Sequence, residues 1–532
     1  MKELSSHLRS AWHQRLSLLA LLLTTLLALP LHAAAQEAYA VKSNDGKTLT
    51  FYYDSNKSSQ SGGTVYDVPD NGSWPGWQYE TSITTITFDG SFSNYRPMNT
   101  SSWFRDMPSL TTFLNMRNLN TSQVTAMTSM FKNLTSLQTL DLSTLNTSRV
   151  TAMNGMFQGN SALKSVNVSG FNTSKVTNMS YMFCNCRSLT TLDLSALNTS
   201  QVTAMNGMFQ GCSALKSVNV SGFNTHSVTQ MMSMFCDCSA LTTLDLSNFD
   251  TQNVTYMNYM FSGCFDLLSL NLSNFNTQKV AYMNSMFQNC SSLASLDLSN
   301  FNTNNVTSMQ YMFNGCKALT KLDLSNFNTQ NVTDMNYMFN GCEALTTLNL
   351  SSFDTQNVTG MGYMFGDCSS LTSLNLGNFN TSRVTAMNGM FLYCEALTTL
   401  DLSNFDTQNV TDMSYMLEDC SSLTSLDLTN FNTSNATSMS YMFHGCSGLK
   451  SVTLGNSVKS LGESCFGDCT NLKTVTCLAT TPPSTDDSFD DEGNKTLVVP
   501  NGSEEQYNRS NYEWKDFGTI ATVGPSNHHH ER

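Results

Sequence analysis

A 26-residue period runs through most of this chain, and it restricts the fold more than any other feature. In the copy Leu241–Cys264, LTTLDLSNFDTQNVTYMNYMFSGC, the last residue recurs as Cys at 186, 212, 238, 264, 290, 316, 342, 368, 394, 420 and 446. The Met before Phe261 keeps the same beat from Met130 to Met442, which makes thirteen copies. A fixed period in this range belongs to a solenoid of stacked coils, not to a single globular core.

One repeat divides into two patterns. Around Leu244 and Leu246 apolar residues alternate with Thr243, Asp245 and Ser247, the period of a strand with one dry face. Val254, Met257, Met260, Phe261 and Cys264 then follow a spacing that predicts a short helical or 3-10 turn. Thr255 is placed to cap its start. Position 263 is Gly, Asn or Asp in every copy except Tyr393, and these residues tolerate the left-handed backbone that stops a helix. Strand, turn, short helical segment and return make one coil. A single coil buries too few side chains to offset the ordering of its backbone, so neighbours must stack and both ends must be covered.

The chain therefore divides into a leader (1–35), an N-terminal capping region (36–109), the solenoid of 26-residue repeats (110–446), shorter 23-residue-type repeats (447–478), a C-terminal cap (479–524) and a tail (525–532). In the leader, Lys2, Arg9 and Arg15 precede the apolar run Leu16–Leu29, and Ala33-Ala34-Ala35 offers small residues before Gln36. That is the form of an export signal, with a permanent anchor helix as the alternative. The capping region holds Trp74, Trp77 and Trp103. They are expected to cover the first coil, or alternatively to line a ligand pocket. The C-terminal cap is expected to use a strand at Thr496–Val499 and an amphipathic piece at Glu504–Phe517. Between Thr151 and Asp250 both TAMNGMFQG and SALKSVNVSGFNT recur at 52 residues, the mark of a duplicated repeat pair.

Charged residues make up 12% of the chain and the net charge is −14. This excludes an ordinary basic nucleic-acid surface and disfavours anionic membranes; no segment after the leader is apolar enough to span a bilayer. Eleven of the 16 Cys fill one repeating apolar slot, so reduced, buried thiols are expected there, with disulfides as the alternative. A disulfide among Cys465, Cys469 and Cys477 is a further expectation.

The unit LxxLxLSxFxTxxVTxMxxMFxxC resembles the BspA-like leucine-rich-repeat surface proteins of bacteria. So do the leader-proximal EAYAVKSNDGKTLTFYYD at Glu37–Asp54, LGNSVKSLGESCFGDCTNL at Leu454–Leu472 and TLVVPNGSEEQYNRSNYEWKDF at Thr496–Phe517. The resemblance implies an α/β solenoid: a right-handed leucine-rich-repeat stack of 26-residue coils. A parallel sheet lies on one face, short helical or 3-10 segments lie opposite, and both ends are capped. It also implies a secreted or cell-surface protein that adheres to extracellular-matrix proteins or other cells.

The middle outward position of each strand forms a file: Asp141, Asn167, Asp193, Asn219, Asp245, Asn271, Asp297, Asp323, Asn349, Asn375, Asp401 and Asp427. On a concave sheet this file is a candidate polar, acidic face that docks a partner (a protein or, as the alternative, a glycan) or cations; its bland reading is a hydrogen-bonded ladder along the sheet. Carboxylates one strand spacing apart are expected to raise each other's pKa. The paired Met files, 26 of the 31 Met, read as flexible core filling. His226 and His444 lie more than eight coils apart. No catalytic set, metal site or cofactor is therefore expected.

Overall fold

The computed structural model describes residues 2–27 and 34–524. Ala28, Leu29 and Ala33 of the leader and the tail 525–532 lie outside the described residues. Lys2–Leu27 is an α-helix, and among the described residues no helix is long and apolar enough to cross a membrane. Beyond an antiparallel end piece at residues 37–67 the chain is a solenoid, and each file of equivalent residues runs down it in register.

The segment Val254–Cys264 explains why the coil takes the shape it does. The N–H groups of Met257, Tyr259, Phe261 and Gly263 bond to the carbonyls of Tyr282, Asn284, Met286 and Gln288 in the next coil, at 2.8–3.1 Å. The N–H groups of Met260, Ser262 and Cys264 turn back three residues, to Met257, Tyr259 and Phe261. Half of the backbone therefore closes 3-10 turns and half knits neighbouring coils together. No continuous helix forms, because two positions per coil are left-handed. Tyr259 has φ 61° and Gly263 has φ 75°, and their equivalents have positive φ in all thirteen copies, Tyr393 included. The stop at position 263 is legible in the sequence. The one at 259, occupied mostly by Tyr, is not. Thr255 does not cap a helix either. At this position the hydroxyl donates to a backbone carbonyl of the preceding coil, as Thr229 does to Thr203.

Parallel bridges run without a break on this side, from Asn99↔Ala126 to Asp412↔Ser438. On the Leu-strand side pairing is intermittent. Thr139–Asp141 pairs with Ser165–Asn167, and Thr191–Asp193 with Ser217–Asn219. The next strand appears only at Ser425–Leu428. From there the order continues through Ser451–Leu454, Thr474–Cys477, Thr496–Val499 and Thr519–Thr522, on rungs 22 or 23 residues apart after the first. At the other end Gly63–Asp67, Glu37–Ser43 and Thr48–Asp54 form an antiparallel sheet. Thr85–Phe88 and Thr112–Leu114 continue it in parallel. Trp77 and Trp103 are buried there against Phe51, whereas Trp74 is exposed under the Arg105 guanidinium. Tyr507, Trp514 and Phe517 are buried at the far end.

Files of Phe, Met, Cys, Val and Leu fill the interior. Phe131 through Phe391 stack ring on ring at 5.2–6.1 Å. The two Met files are buried beside them. Each ladder Cys donates its thiol to the carbonyl of the Phe one coil earlier (Leu417 in the last case), at 3.1–3.2 Å. All 16 Cys are free thiols, including Cys465, Cys469 and Cys477; Cys477 instead takes the Tyr507 hydroxyl at 3.3 Å. Burial pushes the Cys316 and Cys368 thiols up to about 12. The thiolate is the reactive form. The eleven ladder thiols are therefore expected to resist iodoacetamide at pH 8 in the folded chain and to label fully in denaturant without reductant. Intact mass reads the outcome, and rapid labelling of the folded chain would contradict the packing.

A buried Thr completes the coil. Thr251 donates to the Asn276 carbonyl at 2.9 Å and accepts from the Asn276 N–H at 2.8 Å. The same double bond is made by Thr147, Thr173, Thr199, Thr225, Thr277, Thr303, Thr329, Thr355, Thr381 and Thr407, each to the residue 25 positions on. One hydroxyl thus stands in for a missing rung of backbone pairing at a corner where the coils are spread.

Candidate functional site

The Asp/Asn file is present as a column, but its bonds run within coils. In all twelve members, from Asp141 to Asp427, Oδ1 accepts the backbone N–H two residues on, at 2.9–3.1 Å. This is the Asx turn that lets the chain leave the strand. The expected ladder of hydrogen bonds along the sheet is therefore replaced by a stack of separate turns. The pKa expectation is reversed as well. The Ser247 hydroxyl and N–H hold the Asp245 carboxyl below the usual range, and the same pair of groups acts on Asp141, Asp193, Asp297, Asp323 and Asp401. Mutual repulsion appears only at Asp323, from Asp297, and is outweighed there.

The file also lies on the opposite side of the curve from the one expected. Backbone bridges are continuous on the tyrosine side and intermittent on the Leu-strand side, and ring spacings follow the same difference, apart from Tyr415–Tyr441 at 5.4 Å. Tyr256–Tyr282, Tyr311–Tyr337 and Tyr337–Tyr363 are 4.9, 4.6 and 4.7 Å apart. The Phe261 file advances by 5.7–5.9 Å through the same coils. Phe223–Phe249 and Phe405–Phe431, next to the Leu strands, are 6.4 Å apart. The coils are wedges, narrow at the tyrosines and wide at the strands, so the rod curves with the tyrosines inside. Parallel strands pair at about 4.8 Å. That spacing holds on the inner face and is exceeded on the outer one, where the strand ladder breaks and slits open. One such slit, of about 380 Å³, lies between Ser165–Val168 and Thr191–Leu194. The Asp/Asn file therefore occupies the outer, convex face.

The inner face carries a feature that the spacing of apolar residues does not reveal. Tyr259, Tyr311, Tyr337, Tyr363, Tyr415 and Tyr441 sit at the second left-handed position, with Tyr256 and Tyr282 beside them. Tyr311, Tyr337 and Tyr363 form one continuous stack, and Tyr415 stacks on Tyr441 at 5.4 Å. Tyr441 donates to Glu463 at 3.1 Å. The hydroxyls of Tyr256, Tyr259, Tyr282, Tyr311, Tyr337 and Tyr415 have no protein partner among the described residues. Asn258, Asn284, Asn336, Asp334 and Asp412 flank them in the sequence. The signal was available as Tyr recurring two residues after Met257, but only the backbone conformation shows that these rings point outward.

The histidines occupy separate sites. His226 pairs with Asp250 at 2.9 Å. His444 lies 3.5 Å from Glu418 and 3.3 Å from Asp468. Among the described residues no three His, Cys, Asp or Glu side chains are placed to hold a metal ion.

A stack of short coils with Leu strands on one side and a continuous bridge ladder on the other defines a leucine-rich-repeat solenoid. The family model described as "Mycoplasma protein of unknown function, DUF285" matches residues 98–217, 190–296, 266–375 and 368–465, and the chain belongs to that family. No curated protein matches it. A leucine-rich repeat protein from Bacteroides ovatus is 16% identical, with 92% of this chain and 98% of that one covered and a TM-score of 0.41. A leucine-rich cell surface protein from Faecalibacterium prausnitzii is 20% identical, covering 82% and 93%, with a TM-score of 0.30. A leucine-rich repeat protein from Eubacterium ventriosum is 16% identical, covering 64% and 89%, with a TM-score of 0.30.

Proposed function

We propose that this chain is a secreted or cell-surface adhesion protein that binds extracellular-matrix proteins, or proteins of other cells, through its repeat surface and without catalysis. The observation that carries this reading is the inner tyrosine face. Tyr offers a large amphipathic contact at low conformational cost, and with Asn, Ser and Gly it makes the typical surface of a protein-binding paratope. Here stacking and the left-handed backbone hold the rings in place before any partner arrives, which lowers the cost of binding. The Asp/Asn file from Asp141 to Asp427 is the second proposed face. It ranks lower because one oxygen of each member is already committed to its own turn.

Solid-phase binding of the purified chain to matrix proteins and to a glycan array tests the proposal. Saturable binding to protein is expected. Y311S/Y337S/Y363S should weaken it by about tenfold or more, as loss of a central aromatic cluster does, while D323N/D401N/D427N should change it by less than about threefold. Binding to glycans alone, or self-association without a matrix partner, would replace this reading with a glycan-binding or surface-layer one.

A further inference from the structure

The net charge of −14 conceals a division along the rod. Residues 107–236 hold seven Lys and Arg against two Asp, whereas residues 237–446 hold four against seventeen Asp and Glu. Four of the basic residues occupy four consecutive coils along one edge: Lys132, Lys164, Arg187 and Lys216. Lys164 and Lys216 are equivalent residues two coils apart, and Arg187 stands on the coil between them, three positions earlier in the repeat. Lys132 joins the row from the coil before, since it and Arg187 both act on the Cys184 thiol. The Phe stack beneath advances by 6.0, 5.2 and 6.1 Å over these coils. The row is therefore a zigzag with one cation on every rung. None of the four makes an ion pair or side-chain hydrogen bond among the described residues. The two acids of the region, Asp141 and Asp193, are held in their turns on the strand. The positions between the cations are Gln138, Ser161, Thr190 and Ser213, and the slit of about 380 Å³ opens beside Lys164.

We propose that this edge is a binding site for a linear anionic polysaccharide, separate from the tyrosine face. Unpaired cations at a one-coil interval attract a polymer carrying charge at similar intervals. The amide and hydroxyls between them suit sugar hydroxyls. Single-stranded nucleic acid binding uses exposed rings on which bases stack, and no large apolar or aromatic side chain is exposed between Leu114 and Tyr256. The 52-residue duplication now has a consequence, because it places Lys164 and Lys216 in the same file. The site stands whether or not the chain binds matrix proteins, since the two faces share no residue.

The test is binding of the full chain to dextran sulfate, with neutral dextran and a single-stranded DNA of similar length as comparators. Saturable binding to dextran sulfate is expected. It should be lost at about 0.5 M salt, as counterion release requires, and neutral dextran should not bind. K164Q/R187Q/K216Q should weaken binding by about tenfold or more, while K279Q/K317Q/K321Q, which removes as many charges elsewhere, should change it by less than about twofold. Equal loss in both variants, no loss in the first, equal binding of neutral dextran, or tighter binding of the DNA would each overturn the proposal. Y311S/Y337S/Y363S should leave dextran sulfate binding unchanged, which keeps the two tests independent.

Discussion

Phe313→Ala is expected to destabilise the solenoid by about 3–5 kcal/mol, the range for emptying a large buried site. Phe313 is fully buried and stacked on Phe287 at 5.8 Å and on Phe339 at 5.7 Å. The cavity would open between two rings that backbone bonds hold at a set distance, so neighbouring coils have little freedom to collapse into it. In a solenoid, stability is a sum of coil and nearest-neighbour terms, and the damage should therefore be local. Amide exchange should quicken first in the coils on either side, while the capped ends stay protected. Phe313→Leu is the control, because the chain itself places a buried Leu417 in this file; it should cost about 1 kcal/mol. Urea unfolding followed by circular dichroism measures both, and an Ala variant within about 1 kcal/mol of the parent would refute the account of the stack.

The second large effect is expected at Thr303, whose file the apolar pattern does not single out. Thr303 donates to the Asn328 carbonyl at 2.8 Å and accepts from the Asn328 N–H at 2.9 Å. Thr303→Val keeps the shape and removes both bonds, leaving a backbone donor and acceptor without a partner at a corner too wide for direct pairing. A cost of about 2–3 kcal/mol follows. Thr303→Ser retains the hydroxyl and should recover most of it. Equal stability of the Val and Ser variants would show that the hydroxyl does not bridge the coils.

Several features are legible in the sequence itself. Thr496–Val499 alternates as a strand should, and it is a strand in the fold. The Gly, Asn and Asp at position 263 marked a left-handed stop, and every copy has one. The Met, Phe and Cys files were readable as core because their spacing is strict and their side chains are apolar. The second stop at position 259 was hidden. Tyr is a poor left-handed residue in isolation, and its conformation here is held by bonds to the next coil.

Repetition in the sequence determined that the chain would stack and which residues would share a file, since a constant period places equivalent residues over one another whatever the details of the coil. It did not determine which face lies inside the curve, whether the strands pair, or which exposed residues are free to bind. Those depend on small differences in the spacing of neighbouring coils, seen in stacked rings 4.6–5.4 Å apart at the tyrosines and 6.4 Å apart beside the strands. Such differences arise where backbone pairing, Thr bridges and stacked rings compete between neighbouring coils. A single repeat carries no record of that competition, because its terms exist only once two coils touch.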